Sequence, residues 1–213
     1  MNTKTELIKL KKLVNGWNNI LPDDKLMFQD FGDDYSLILQ EIDNIKPKIM
    51  VEIGSYTGNS SVALAKHLQQ WGGTLICIDT WLGNPKVWLD SALTKSLRME
   101  YGRPNVYKTF CSNIINSKLD QTVIPLCQTS SNAAYILKKL NIFIDCVYWD
   151  SGHDQVLSDL NLYLPLLSEH GVWFGDDFSQ YDTIADQVNC FLKKNQNVKL
   201  SLLGKNQWKI SRH

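Results

Sequence analysis

The sequence predicts an α/β fold: a mostly parallel, seven-stranded sheet covered by helices on both faces. Three observations carry this reading. From residue 48 onward, short apolar runs alternate with helical patterns, the rhythm of units whose strands run parallel. The final stretch, VKLSLLGKNQWKI, instead holds two extended runs around Gly204-Lys205-Asn206, the signal of an antiparallel hairpin. And 213 residues, 44% of them hydrophobic, suffice for one domain with a substantial core.

Residues 1–46 are expected to form an N-terminal helical extension, and residues 47–213 a single globular unit. The extension breaks near Leu21-Pro22-Asp23 and Phe31-Gly32-Asp33, and the spacing of Tyr35, Leu37, Ile38, Ile42 and Ile45 gives its last helix one apolar face. The first strand spans 48–53, and the helix after it, 59–69, offers Val62, Leu64, Ala65 and Leu68 for packing. The second strand is 74–78, with a helix later, at 106–116. Strand 122–126 precedes helix 132–140, strand 142–149 precedes helix 155–164, and strand 172–175 precedes helix 183–193. Residues 81–104 break the rhythm, since a short helix should follow the second strand. They carry Trp81, Trp88, Leu93, Met99 and Tyr101. A connection that long is often functional, although an extra helix packed on the surface explains it equally well.

Lys plus Arg and Asp plus Glu number 22 each, so the long-range attraction of a nucleic-acid binder or an anionic-membrane binder is missing. The start, MNTKTELIKLKKLVNGW, lacks the apolar centre and cleavage site of a signal peptide. No apolar run approaches the roughly 20 residues that span a bilayer. Five cysteines, Cys77, Cys111, Cys127, Cys146 and Cys190, show no paired spacing and read as reduced, buried thiols. A cytoplasmic protein is the expectation.

The stretch VEIGSYTGNSS, residues 51–61, opens as a buried strand, stops at Gly54, and turns helical after Gly58. Gly54 lets a ligand approach the main chain, and Gly58 sits where helical N–H groups point outward. A dinucleotide fingerprint would place a glycine at Tyr56, and Glu52 is an unfriendly neighbour for phosphate. Acidity suits a ligand with a positive centre. Asp79, at the end of the second strand, can accept from two ribose hydroxyls. Gln128-Thr129-Ser130-Ser131 can line an adenine or simply cap a helix.

The fourth strand stops at Asp150 and the fifth at Asp176-Asp177. If those strands are neighbours, three carboxylates gather at one rim, where crowding raises their pKa values unless a cation intervenes. A hard divalent ion such as Mg2+ would satisfy them; alternatively, Asp150 and Asp177 cap the following helices. His153, three residues beyond Asp150, could take a proton from a substrate hydroxyl near neutral pH. Asp154 would orient that ring or, more simply, cap the next helix.

On VEIGSYTGNSS, CIDTWLG, YWDSGHD and GVWFGDD, over residues 48–180, the chain resembles the metal-dependent class I O-methyltransferases. It looks most similar to the macrocin O-methyltransferase group and the relatives labelled cephalosporin hydroxylase. The resemblance implies a Rossmann-like three-layer sandwich that binds S-adenosylmethionine (SAM) through Glu52, Gly54, Ser55 and Asp79. Tyr56, Gly58, Ser60, Thr80, Trp81, Thr129, Ser130 and Asp150 would complete that site. It implies a divalent metal on Asp150, Asp176 and Asp177, with His153 as general base where catechol-type relatives have a lysine. The sequence departs from the family's YIDGxH pattern at Trp149 and Ser151, and residues 1–46 carry no resemblance. The expectation is SAM- and Mg2+-dependent O-methyl transfer to a small hydroxylated, sugar-containing acceptor, with Trp81 and the insert closing over the site. A homo-oligomer is also expected, since family members are often oligomeric. A non-catalytic nucleoside-binding module and an NAD-linked oxidoreductase stand as alternatives.

Overall fold

A computed structural model describes residues 3–14, 17–23, 34–91 and 93–213. Two helices come first, α1 (Thr3–Leu13) and α2 (Ser36–Ile45). The alternating part runs β1 (Ile49–Ile53), α3 (Asn59–Gln69), β2 (Thr74–Asp79), α4 (Pro85–Leu89), α5 (Val106–Asn116), β3 (Val123–Cys127), α6 (Ser130–Lys139) and β4 (Ile144–Trp149). It continues through α7 (Val156–Tyr163), β5 (Leu167–Gly175) and α8 (Asp182–Lys194) to the hairpin of β6 (Val198–Leu203) and β7 (Gln207–Arg212).

The seven strands form one sheet in the order β3-β2-β1-β4-β5-β7-β6. The first five are parallel, and β7 pairs antiparallel with both β5 and β6. Every residue of β1 is buried, as expected of a parallel strand covered on both faces. Alternation along the strands feeds two cores, one per face. Val51, Val147, Trp149 and Trp173 share one with α6, α7 and α8; Met50, Tyr148 and Phe174 share the other with α2, α3 and α5. The apolar face expected of α2 is there: Ile38 and Ile42 are fully buried in the second core. A left-handed Lys46, whose N–H donates to the Ile42 carbonyl, ends that helix before Pro47.

The structure extends β5 to Leu167, five residues ahead of the predicted start. Ser168, Glu169 and His170 hid this segment by breaking the apolar run, and the β4–β5 register shifts between Ile144 and Cys146. Residues 81–104 hold a short α4, with Pro85 in its first turn and Asn84 Oδ1 accepting from the Val87 N–H. A 3-10 turn over Thr94–Leu97 and a bridge between Glu100 and Arg103 follow. Cys77, Cys111 and Cys146 are buried as expected, and Cys190 is half-buried. Cys127 is exposed, because edge strand β3 brings it out at the sheet's carboxyl end. The expected break at Phe31-Gly32-Asp33 lies outside the described residues. Among the described residues, no helix is long and apolar enough to cross a membrane.

Candidate active site

Strand β1 lies between β2 and β4, so the chain leaves it in opposite directions on its two sides. In open sheets a crevice forms at that reversal, beyond the carboxyl ends of the strands. A cavity of about 630 Å³ occupies this place, a size suited to a cofactor or small ligand.

The turn after β1 makes the cavity floor. Gly54 has φ +91°, and a Cβ there would lie 1.9 Å from the Asp150 carbonyl oxygen, so β1 and β4 pass at a distance only glycine allows. Gly58, at φ +88°, occupies the N-cap of α3 and donates to the Ser55 carbonyl at 2.7 Å. Asp79 fastens the turn to β2. One carboxylate oxygen accepts from the Tyr56 N–H at 2.9 Å, the other from the Trp81 N–H at 2.7 Å. Burial raises the Asp79 carboxyl above its ordinary value, with those backbone donors pulling it back.

Ser55, Tyr56, Ser60, Thr80, Thr129 and Ser130 all line the cavity. Thr129 also caps α6, its hydroxyl accepting from the Asn132 N–H at 3.2 Å, so the lining and capping readings both hold. Glu52 is not on the wall. Its fully buried carboxylate lies beneath the turn, accepting from Ser55 and Ser60 at 2.6 Å each and from Ser61. Burial raises its pKa, and the serine hydroxyls only partly offset this. Trp81 is not on the wall either. It is 1% exposed, packs on Tyr107 and Phe110 with ring centroids 4.8 Å away, and donates from Nε1 to the Tyr56 carbonyl at 2.7 Å. A left-handed backbone, φ +52°, turns the ring inward, making Trp81 an anchor of the insert. Gly83, Asn84, Pro85, Lys86, Val87 and Leu93 are the insert residues that reach the cavity.

At the far end the cavity meets Asp150, His153 and Asp177. His153 Nε2 lies 3.2 Å from Asp177 Oδ2, and its ring stacks on Tyr181 with centroids 3.8 Å apart. Asp177 stands in the left-handed region at φ +64°, and Asp176 Oδ1 accepts from the Asp177 N–H at 2.7 Å. The capping alternatives fail for all three acids. Gln155 and Tyr181 occupy the N-cap positions of α7 and α8 without side-chain cap bonds, and the partner of His153 is Asp177, not Asp154.

The three-carboxylate metal site does not assemble as expected. Among the described residues, no group of three His, Cys, Asp or Glu side chains is arranged to hold a metal ion. Asp177 is drawn to His153, and Asp176 folds back onto the chain behind the cavity wall. Sequence reasoning missed Tyr35, Lys86, Gln180 and Tyr181, which also line the cavity. Only the position of Tyr181, four residues after Asp177, offered a hint.

A protein family described as "Methyltransferase domain" matches residues 51–178. No curated protein matches the chain. Solved structures share the fold. The O-methyltransferase from Bacillus cereus in complex with SAH, the demethylated product of SAM, is 14% identical, with a TM-score of 0.62 over 98% of this chain and 91% of that one. The SAH-bound methyltransferase PaMTH1 of Podospora anserina is 16% identical, with a TM-score of 0.63 over 98% and 88%. The O-methyltransferase TomG of Streptomyces achromogenes, involved in tomaymycin synthesis and solved with SAM, is 16% identical, with a TM-score of 0.57 over 97% and 89%.

Proposed function

The chain belongs to the methyltransferase-domain family, and from that membership we propose that it transfers the methyl group of SAM to a hydroxyl of a small acceptor. One observation carries this reading. A single cavity joins the glycine turn and Asp79 at one end to the His153–Asp177 pair at the other. Solved structures of the same fold that hold SAM or SAH support the choice of donor. Within this reading residues 47–213 form the catalytic domain. Residues 1–46 are an N-terminal addition that lends Tyr35 to the wall.

The donor end fits SAM by its chemistry. Asp79 offers two carboxylate oxygens to ribose hydroxyls, the main chain at Gly54–Ser55 admits the methionine portion, and Thr129 and Ser130 face the adenine side. Glu52 works indirectly, holding Ser55 and Ser60 in place from beneath. Bound there, SAM supplies a methyl group on an electrophilic sulfonium centre.

At the acceptor end, a neutral His153 that donates its Nε2–H to Asp177 keeps a lone pair on Nδ1. That nitrogen takes the acceptor's hydroxyl proton as the oxygen gains the methyl, and Asp177 stabilises the imidazolium formed. Tyr181 fixes the plane of the ring. The family resemblance further implies divalent-metal assistance and a sugar-containing acceptor. No step here runs through a metal, because the carboxylates do not form its ligand group. A sugar is compatible with a wall that combines Tyr35 and Tyr181 with Asn84, Gln155 and Gln180.

Methyl-labelled SAM incubated with a panel of small phenols and sugars tests the reading. It stands if label passes to an acceptor and His153→Ala stops the transfer. SAH binding without transfer to any member of the panel would point to a binding module instead.

A further inference from the structure

The insert places one lysine, exposed to solvent, on the cavity wall. Lys86, in α4, holds its ammonium 5.8 Å from the centroid of the Tyr181 ring, a cation–π placement. The same ring stacks on His153, 3.8 Å centroid to centroid. Asp177, His153, Tyr181 and Lys86 therefore form a continuous file along the acceptor end, with the base near one end and the ammonium at the other. Among the described residues, Lys86 has no carboxylate partner within ion-pair distance, whereas four other lysine and arginine side chains (Lys9, Arg98, Lys108 and Lys209) and two histidines (His67 and His153) do.

An acceptor seated against Tyr181 would remove part of the water around that ammonium. Burying an uncompensated charge costs free energy, and an aromatic face offsets only part of it. A cationic acceptor would be repelled, and a neutral one would lose hydration at the ammonium without gaining an ion pair. Resting on the methyl-transfer reading, we propose that the acceptor carries an oxyanion, a carboxylate or a phosphate, which pairs with Lys86 while its hydroxyl faces His153. Lysine serves such groups as a point charge, needing no bidentate geometry.

Matched ligands titrated into the SAH-saturated protein test this. One pair is 3,4-dihydroxybenzoate against its amide; the other is glucose 6-phosphate against glucose. The charged member of at least one pair should bind about tenfold more tightly, a difference of roughly 1.4 kcal/mol. Lys86→Met should remove the preference, Lys86→Arg should keep it, and SAH affinity should not change. The pair that responds tells carboxylate from phosphate. Equal affinity within both pairs, a preference that survives Lys86→Met, or no binding by either charged ligand would overturn the inference while SAH binding leaves the methyl-transfer reading intact. Failure of SAH to bind would strike that reading instead, and the same titrations without SAH would still decide the role of Lys86.

Discussion

His153 Nε2 and Asp177 Oδ2 stand 3.2 Å apart, joining the loop after β4 to the loop after β5 across the mouth of the cavity. Residues 24 positions apart are thus brought together by adjacent parallel strands, and under the proposed function they act as one acid–base unit. His153→Ala should lower the methyl-transfer rate by about 10²- to 10⁴-fold, the span typical of losing a general base. Asp177→Asn should cost less and act in the same direction. SAH affinity, measured alongside by calorimetry, should stay near the wild-type value for both. A His153→Ala enzyme with full turnover would remove the base from the mechanism.

Gly54→Ala meets both a left-handed backbone and the Asp150 carbonyl at 1.9 Å, whereas a Cβ at Gly72, φ +74°, meets nothing within 4 Å. Backbone strain alone costs about 1–3 kcal/mol. Denaturant titration should therefore find Gly54→Ala clearly less stable than Gly72→Ala, with SAH binding impaired only in the first. Equal stability of the two variants would mean that β1 and β4 can separate without loss.

Trp81→Phe keeps a ring against Tyr107 and Phe110 but deletes the donor that satisfies the Tyr56 carbonyl. Leaving a buried acceptor unmet costs about 1–3 kcal/mol. Thermal denaturation should show a loss of that order, and the SAH affinity should weaken as the turn loosens. A variant with native stability would show that the bond is dispensable.

Glu52 gives stability a pH dependence of known sign. Burial raises its folded-state pKa above the unfolded value. Its contribution is therefore fully present below the unfolded value of about 4.3 and is lost as pH rises through the folded one. Glu52→Gln cannot titrate. The melting temperature of the wild type should fall relative to that of Glu52→Gln as pH increases from about 4 toward neutrality. A gap that stays constant with pH would refute the buried, titrating carboxyl.

Much of this was legible because it is local. The carboxyl ends of β1, β2, β4 and β5 read in the sequence as apolar runs stopping at a glycine or an aspartate, which puts Gly54, Asp79, Asp150 and Asp177 at the carboxyl rim. What stayed hidden depends on contacts between distant segments. Nothing around Trp81 signals that its ring turns inward onto α5, so it reads as a lid. Asp176 and Asp177 read as a ligand pair until the left-handed Asp177 is seen reaching His153. The strand start at Leu167 was masked by three polar residues, and Lys86 lay in a segment with no periodicity to orient it.

The most direct test of the account is a calorimetric titration of SAH into the wild-type chain and into Asp79→Ala. Saturable binding at one site, weakened at least tenfold (roughly 1.4 kcal/mol) by the substitution, is the predicted result. No binding of SAH, or binding of a nicotinamide dinucleotide in its place, would contradict it.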